Sequence, residues 1–398
     1  MGGTLSSIYS NISYGLHSHM DAMIRLQEQA ATGSRINRVS DAPGDAYRLL
    51  GLRCDQRSLQ DYLKRTADTT LVLQFCSESI ISPMLKTVTD AKTSISQVMS
   101  GTYSEEARLQ KAEEINELLE KMLSLANAEC ADQYLFGGSA TGSAPYTAQR
   151  DEDGRITEVI YQGSSYKRQI EVSGSVEVTA FYVGDDVLSS DNRGDPVFTG
   201  GTGAAVGTGT SNINGFVWLT VTYNDISEKY ELSIDDGLTK VPVDGTETNQ
   251  AVTNPATGEV LYVDATGISS TGAEFVSIPG TYDIFSSLIA VRDILENEKG
   301  LSGTQLEQLR NHSLDVLDEA SEILTRHSVK VGSEIGFLTG LENNLKEMMY
   351  NTEDEAGALE QADITEIAIG LSRHQVLYQM SLSLAGSILS VSLLDFIK

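Results

Sequence analysis

The sequence predicts an α+β fold: long terminal helices from both chain ends form an antiparallel helical bundle or coiled coil, with a central inserted antiparallel β domain. Apolar residues recur every three or four positions in the first and last thirds of the 398-residue chain, whereas β-branched and aromatic runs fill the middle. Five of the seven prolines and 18 of the 35 glycines also fall between residues 140 and 280. We expect an N-terminal helical half of the core at 1–146, a central β domain at 147–256, a return segment into the core at 257–280 and a C-terminal helical half at 281–398.

The first third predicts three helical stretches. The first ends near Gly33, since glycine commonly terminates a helix. Ser40 or Asp41 can cap the second helix, and Pro43 suits its first turn. Pro83 predicts a kink or a break later in that helix, because proline lacks the backbone N–H. The third stretch ends in the cluster YLFGG.

The middle third changes to strand-like patterns separated by Gly, Asn and Asp. Such spacing suits a sandwich or an irregular barrel, and the pattern does not choose between them. The predicted strands are residues 156–161, 166–173, 176–183, 216–223, 229–234 and 259–265.

The last third contains a heptad repeat, which predicts a left-handed coiled coil or bundle. The terminal helix follows at residues 363–394, about 48 Å long if continuous. The heptad positions are Leu317, Ala320, Leu324, His327, Val331, Glu334, Leu338, Leu341, Leu345 and Met348.

Charge and hydropathy exclude several classes of partner. With 28 basic and 56 acidic side chains the formal net charge is −28, which repels nucleic acid and anionic lipid. Residues 374–394 carry no formal charge, yet nine of them are His, Gln, Ser or Gly, too many for a membrane span. The N-terminus lacks a basic segment followed by an apolar one, so we expect no cleavable signal peptide.

No constellation of residues predicts catalysis, a cofactor or a metal. His17 and His19 are two residues apart and so point to different faces of a helix, whereas helical zinc pairs are spaced by four. The glycine-rich run near Gly203 has the wrong spacing for a dinucleotide loop. The three cysteines form no CxxC pair and are expected to be free thiols.

The terminal motifs resemble the flagellin family of bacterial flagellar axial proteins. ATGSRINRVSDAPGDAY matches the family's N-terminal signature, with one departure at Ala42, where the pattern usually has an Asp. At the other end, Ala362, Asp363, Ile364, Leu371 and the closing SLLD match the family's C-terminal helix. The resemblance covers residues 1–146 and about 257–398 and is weak across the β domain.

Within the family, the YLFGG cluster and the passage of residues 264–295 resemble the member at the junction between hook and filament. The resemblance therefore implies a non-enzymatic adaptor on which flagellin polymerises. Two alternatives stay open: a flagellin of the filament itself, and a ligand-binding or enzymatic module in the central β domain.

The resemblance also implies partners and a location. The partners are other copies of the chain, the second junction protein, flagellin and an export chaperone that binds the C-terminal helix. The location is the extracellular flagellum, reached without signal cleavage. The implied assembly residues are Thr32, Gly33, Arg35, Ile36, Asn37, Asp41, Pro43, Tyr134, Leu135, Phe136, Gly137, Gly138, Leu371, Leu382, Leu389, Leu393 and Leu394.

Overall fold

A computed structural model of the chain describes residues 2–98, 104–174, 176–190 and 192–396. The chain divides into two compact units. We call Met1–Lys64 with Leu341–Lys398 the terminal unit, and Arg65–Gly340 the central unit. The terminal unit thus unites the two ends of the sequence.

Helical segments make up most of the first third. Ser104 caps the last of them, since its side chain accepts a hydrogen bond from the N–H of Ala107. The segments are α1 (Gly2–Thr32), α2 (Pro43–Phe75), a π-helix (Cys76–Ile81), α3 (Ser82–Val98) and α4 (Glu105–Ala126).

The helix passes through Pro83 by way of the π-helix and does not break there. Proline cannot donate to the carbonyl one turn earlier, and its ring crowds that carbonyl. Immediately before Pro83, the N–H of Ser82 donates to the carbonyl of Ser77, five residues back. This wider turn accommodates the proline within a continuous helical path.

The middle of the chain consists of antiparallel strands, and every strand pair among the described residues is antiparallel. A short helix, α5 (Gly184–Leu188), follows β6. The strands are β1 (Glu129–Cys130), β2 (Gln133–Tyr134), β3 (Tyr146–Arg150), β4 (Ile156–Tyr161), β5 (Arg168–Ser173), β6 (Val176–Phe181), β7 (Val197–Thr199), β8 (Ala205–Val206), β9 (Gly215–Asn224), β10 (Lys229–Ser233), β11 (Val241–Val243), β12 (Gln250–Asn254), β13 (Glu259–Asp264) and β14 (Gly272–Ile278).

Two sheets share one hydrophobic core. A five-stranded sheet has the order β11-β10-β9-β14-β7, and a three-stranded sheet has the order β12-β13-β8. Leu219, Leu232 and Val276 from the first sheet and Val252 and Leu261 from the second belong to the same buried cluster. This is the arrangement of a sandwich, which resolves the choice left open by the sequence. The six predicted strands are present as β4, β5, β6, β9, β10 and β13.

Three helices complete the chain: α6 (Ile284–Glu296), α7 (Gly303–Glu360) and α8 (Ile364–Phe396). α6 begins with a capping box between Asp283 and Ser286 and packs against α4. Among the described residues, no helix combines the length and apolar content needed to cross a membrane. The predicted α+β fold, with helices at both ends and an antiparallel β region between them, is confirmed.

The heptad positions of α7 form a buried seam over most of its length. His327 and Glu334 are half-buried on the seam, and each has a polar partner. His327 Nε2 lies 2.8 Å from the carbonyl oxygen of Asp186, and Glu334 accepts from the Tyr182 hydroxyl. Met348 departs from the pattern, with 55% of its side chain exposed. The buried members are Leu317, Ala320, Leu324, Val331, Leu338 and Leu345.

Candidate assembly interface

Helices α1 and α8 pack against each other in the terminal unit. The residue numbers of the contacting pairs rise along one helix and fall along the other, so the helices are antiparallel. Glycine at position 370 lets a leucine of α1 approach to within 3.2 Å of the place where a Cβ would stand. From the end of α1, the pairs are Gly33–Ala362, Leu26–Gly370 and His19–His374.

A backbone clasp, formed by residues 33–37 and 359–362, joins the loop after α1 to the end of α7. The N–H of Arg35 donates to the carbonyl of Glu360 at 2.7 Å, and the carbonyl of Gly33 accepts a 3.0 Å bond from the other segment. Gly33 has φ +70°, the left-handed conformation that commonly ends a helix. The predicted N-terminal motif therefore contacts the C-terminal part of the chain directly.

The side chain of Arg35 reinforces the clasp. Its Nε and Nη2 atoms donate to the carbonyl of Leu359 at 3.3 and 3.1 Å, and Nη2 also bonds Asp45 at 2.7 Å. The carbonyl belongs to the last turn of α7, where helix geometry leaves carbonyls without partners. Arg35 thus connects the end of α7 to the first turn of α2.

Asp41 orders the loop before α2. Its Oδ2 accepts the backbone N–H groups of Asn37 and Arg38 at 3.2 and 2.8 Å. The sequence predicted Ser40 or Asp41 as a helix cap, but the Asp41 carboxylate turns back to the loop, whose N–H groups precede it. The Asn37 side chain donates to the carbonyl of Ser34 at 3.2 Å, which closes the loop from the other side.

The remaining motif residues act locally. Thr32 donates its hydroxyl to the carbonyl of Glu28 at 2.9 Å, within α1. Ile36 is half-buried, and its carbonyl accepts from the Ser34 hydroxyl. Pro43 is the first residue of α2, where its missing N–H breaks no helical bond.

Two ion pairs, which the motif alone did not identify, link α2 to α7. Arg48 bonds Glu355, and Arg53 bonds Glu360 at 2.6 Å. All four side chains are about one-third to two-thirds exposed, so each pair contributes at most about 1 kcal/mol. The sequence showed charged residues on both predicted helices, but it did not show which helices pack against each other.

One face of α8 packs on α1, and another carries exposed apolar side chains. Leu371 is half-buried, whereas Leu382 is 48% exposed. Ile369, Val376 and Met380, at spacings of seven and four, share a face and are 66, 55 and 63% exposed. The side chains of Leu389, Leu393 and Leu394 lie outside those that the structure describes.

Exposed apolar side chains also occur on the other elements of the terminal unit. They include Tyr14, Met20 and Ile24 on α1, Tyr47 and Leu50 on α2, and Met348 and Tyr350 on α7.

The YLFGG cluster lies in the central unit and is packed inside the chain. Leu135 and Phe136 have no exposed surface. Their carbonyls accept the N–H groups of Tyr182 and Gly184, each at 2.9 Å, and the N–H of Gly138 donates to the Tyr182 carbonyl at 2.9 Å. The backbone of the cluster therefore pairs with the segment after β6. The buried side chains of Leu135 and Phe136 stabilise the fold of the chain itself.

The two glycines of the cluster allow close backbone approach. A Cβ at Gly138 would stand 2.6 Å from the carbonyl oxygen of Ser164, and the residue has φ +61°. A Cβ at Gly137 would meet the carbonyl of Ala140. Tyr134 is half-buried, and its hydrogen bond to Glu129 raises the pKa of its hydroxyl.

Within the described part of the chain, no group of three or more His, Cys, Asp or Glu side chains converges as a metal site. Sequence reasoning missed the contact between His19 on α1 and His374 on α8, whose Nδ1 atoms lie 3.3 Å apart. No sequence spacing could reveal it, because 355 residues separate the two.

Comparison with known proteins agrees with this architecture. Residues 6–141 match the family model described as the bacterial flagellin N-terminal helical region. This region of the chain is therefore similar to the N-terminal helical region of bacterial flagellins. Flagellar hook-associated protein 3 of Escherichia coli K12 is 28% identical over 185 residues, 46% of this chain and 55% of that protein. Its namesake from Salmonella typhimurium LT2 is 28% identical over 141 residues, 35% of this chain and 44% of that protein.

The chain spans about half the length of these two curated relatives. Among solved structures, flagellar hook associated protein-3 of Legionella pneumophila has a TM-score of 0.53 at 19% identity, covering 77% of this chain and 98% of that chain. The flagellar junction protein FlgL of the same species has a TM-score of 0.51 at 19% identity, covering 79% and 99%. At this identity the likeness concerns the fold. The predicted resemblance to the flagellin family, and within it to hook-associated protein 3, is confirmed.

Proposed function

We propose that the chain is a structural subunit of the bacterial flagellum, the adaptor at the hook-filament junction on which flagellin polymerises. The observation that carries the proposal is the match of its N-terminal region to the flagellin family together with curated relatives named flagellar hook-associated protein 3. The central β domain separates the terminal elements along the sequence.

The terminal unit supplies a mechanism that needs no chemistry. The clasp and the α1–α8 contacts hold both chain ends together, while apolar side chains such as Val376 and Met380 stay exposed. Burying them against neighbouring subunits stabilises assembly by about 25 cal/mol for each Å² of apolar surface removed from water. We propose that these neighbours are other copies of the chain, the second junction protein and flagellin.

The predicted interface residues divide into three roles in this proposal. Leu382 and the predicted leucines near the C-terminal end of α8 (Leu389, Leu393 and Leu394) contact neighbouring subunits directly. The clasp residues position α1 against α8, and the buried YLFGG residues maintain the central unit. We further propose that an export chaperone covers α8 before assembly, that export occurs without signal cleavage, and that the chain is not an enzyme.

Immunogold labelling of isolated flagella with an antibody to residues 147–256 tests the location. We expect one narrow band where hook meets filament. Label along the whole filament would instead identify a filament flagellin. Absence of label, with a control proving that the epitope is accessible, would contradict a flagellar role and return attention to the central β domain.

A truncation that removes residues 387–398 tests the role of the terminal helix. We expect assembly to be lost while the β domain stays folded, as measured by filament growth in cells and by near-ultraviolet circular dichroism of the purified protein. Filament growth supported by the truncated chain would overturn this part of the proposal.

A further inference from the structure

We propose that the contact between His327 and the backbone of Asp186 is a proton-sensitive latch, which holds residues 182–188 against α7 and releases them in acid. These residues follow β6 and include α5, and we call them the latch segment. Both sides of the contact belong to the central unit. The inference goes beyond the flagellar role and does not depend on it.

The hydrogen bond fixes the tautomer of the imidazole ring. His327 Nε2 lies 2.8 Å from the carbonyl oxygen of Asp186. A carbonyl oxygen can only accept a hydrogen bond, so Nε2 carries the proton and donates it. In the neutral ring, Nδ1 is then the nitrogen without a proton. This Nδ1 atom is buried and has no hydrogen-bond partner among the described residues.

A second proton on this ring has no acceptor within the described fold. It would place an N–H group at the buried Nδ1 and a positive charge beside the cationic side chains of Arg326 and Lys330. The carboxylate that faces the ring from α5, that of Asp186, already pairs with Lys167 at 2.9 Å. A buried charge without a hydrogen bond is costly, so the protonated ring turns or moves toward water. Either movement takes Nε2 away from the Asp186 carbonyl.

The direction of the pKa shift agrees with this geometry. Burial lowers the pKa of His327, and the charges of Lys330 and Arg326 lower it further, against the opposing effect of the hydrogen bond to Asp186. Because the pKa is lower in the folded chain, the contact is fully stable above the pKa of free histidine, about 6.5. It loses stability as the pH falls below that value.

The latch segment has two further contacts with the same face of α7. Glu334 accepts a hydrogen bond from the Tyr182 hydroxyl, and the Lys330 ammonium lies 5.8 Å from the centre of the Tyr182 ring. His327, Lys330 and Glu334 are spaced by three and four residues and so share one face of the helix. The thiol of Cys76, from the π-helix, is also close to Tyr182. Loss of the His327 contact therefore opens the latch segment locally and leaves the rest of the central unit folded.

Amide hydrogen exchange of the full-length protein, read by mass spectrometry and corrected for the intrinsic effect of pH, tests the latch. The N–H groups of Tyr182 and Gly184 are hydrogen-bonded to the YLFGG cluster, so their exchange reports opening. We expect exchange in the latch segment to be at least about threefold faster at about pH 5.5 than at about pH 7.5. Exchange in β9, within the sandwich, should stay unchanged.

Two substitutions separate the latch from other effects of acid. His327→Gln keeps an amide N–H that can donate to the Asp186 carbonyl but does not titrate, so the acid response of the latch segment should disappear. His312→Gln is the matched control, because His312 is also half-buried on α7 and burial also lowers its pKa. It lies about 22 Å from His327 along the helix, so this variant should keep the full response.

Four results would overturn the proposal. They are equal exchange in the latch segment at the two pH values, an acid response that survives in His327→Gln, an acid response that His312→Gln also abolishes, and an acceleration in β9 as large as that in the latch segment. The last two would indicate a general loss of stability in acid.

A pH series on the unchanged protein covers the case of a variant that misfolds. The acceleration should begin between about pH 7 and pH 5, where imidazole titrates, and should reverse when the pH is raised again. An onset only below about pH 4.5 would assign the opening to carboxylates and contradict the latch. None of these results bears on the immunogold test, so the two proposals succeed or fail separately.

Discussion

Arg35 has three roles: its side chain caps the end of α7 and contacts α2, and its backbone N–H forms part of the clasp. Lysine keeps the charge but cannot present the planar fork that reaches the Leu359 carbonyl and Asp45 together. We expect Arg35→Lys to destabilise the terminal unit by about 1 kcal/mol, measured by amide hydrogen exchange in α1 and α8.

Arg38 offers a matched control for that change. It pairs with Glu28 at 3.1 Å, its side chain is 67% exposed, and it contacts no carbonyl of α7 among the described bonds. Arg38→Lys should leave exchange in the helices unchanged. Equal effects of the two substitutions would show that the contacts of Arg35 with α7 and α2 are unimportant.

Gly138 makes the YLFGG cluster intolerant of a side chain. Gly138→Ala would place a Cβ 2.6 Å from the Ser164 carbonyl in a backbone with positive φ, so we expect a loss of about 2–4 kcal/mol. Gly142→Ala is the control, since a Cβ there meets nothing within 4 Å. Denaturant unfolding of both variants measures the difference, and matching curves would contradict the tight packing.

Cys76 illustrates how burial governs reactivity. Desolvation, followed by the nearby charge of Glu334, raises the pKa of the Cys76 thiol to about 12. Because the folded pKa is raised, the reactive thiolate is scarce below that value, at about one thiol in ten thousand at pH 8. We expect iodoacetamide at pH 8 to alkylate the exposed Cys54 and spare Cys76 until denaturant is added. Peptide mass spectrometry reads the sites, and early alkylation of Cys76 would contradict its burial.

At the scale of elements, the α7 seam is the pattern that sequence predicted best. Leu338 is fully buried on it, whereas the adjacent Phe337 is 53% exposed. Leu338→Ala should cost about 2–5 kcal/mol, and Leu338→Asp should cost more because it buries an unpaired charge. Phe337→Ala should change stability far less. Thermal melting of the three variants provides the test, and a Leu338→Ala curve that coincides with the Phe337→Ala curve would refute the seam.

The same elements show why the periodicity of one helix is easier to predict from sequence than the contacts between elements. A stripe of leucines repeats along one helix, so the buried positions of α7 could be read directly from the chain. Eight of the fourteen described strands were not predicted. In two of the longer ones, β12 and β14, polar positions and a glycine weaken the alternation on which strand prediction depends. Pro83 signalled a disturbance, but the choice between a break and a π-helix depends on packing across the whole turn.

The candidate site residues show the same difference between local patterns and contacts that are distant in sequence. The N-terminal motif drew attention to Gly33 and Arg35 as assembly residues, but their backbone bonds to Ala362 and Glu360 within the chain were not predicted. The pairs Arg48–Glu355 and His19–His374 join residues more than 300 positions apart, and only the fold brings them into contact. Local chemistry was therefore predictable, whereas the identity of each distant partner was not.

At the scale of the whole molecule, stability and assembly should depend on different faces of α8. Val376 and Met380 are 55 and 63% exposed, so an aspartate at either position removes little packing within the chain. We expect Val376→Asp and Met380→Asp to change the free energy of unfolding by less than about 0.5 kcal/mol. In the assembled state, the same charge would be buried against a neighbouring subunit without a partner, at a cost of several kcal/mol.

Counts of filaments on hooks, taken by electron microscopy of cells that express each variant, measure the effect on assembly. Ile226→Asp is the control, because Ile226 is 98% exposed in the turn between β9 and β10 of the central unit. We expect filaments with Ile226→Asp and none with the two α8 variants. If all three variants supported filaments, the exposed face of α8 would not be an assembly surface. If the α8 variants were also unstable as free chains, that face would serve folding and not assembly.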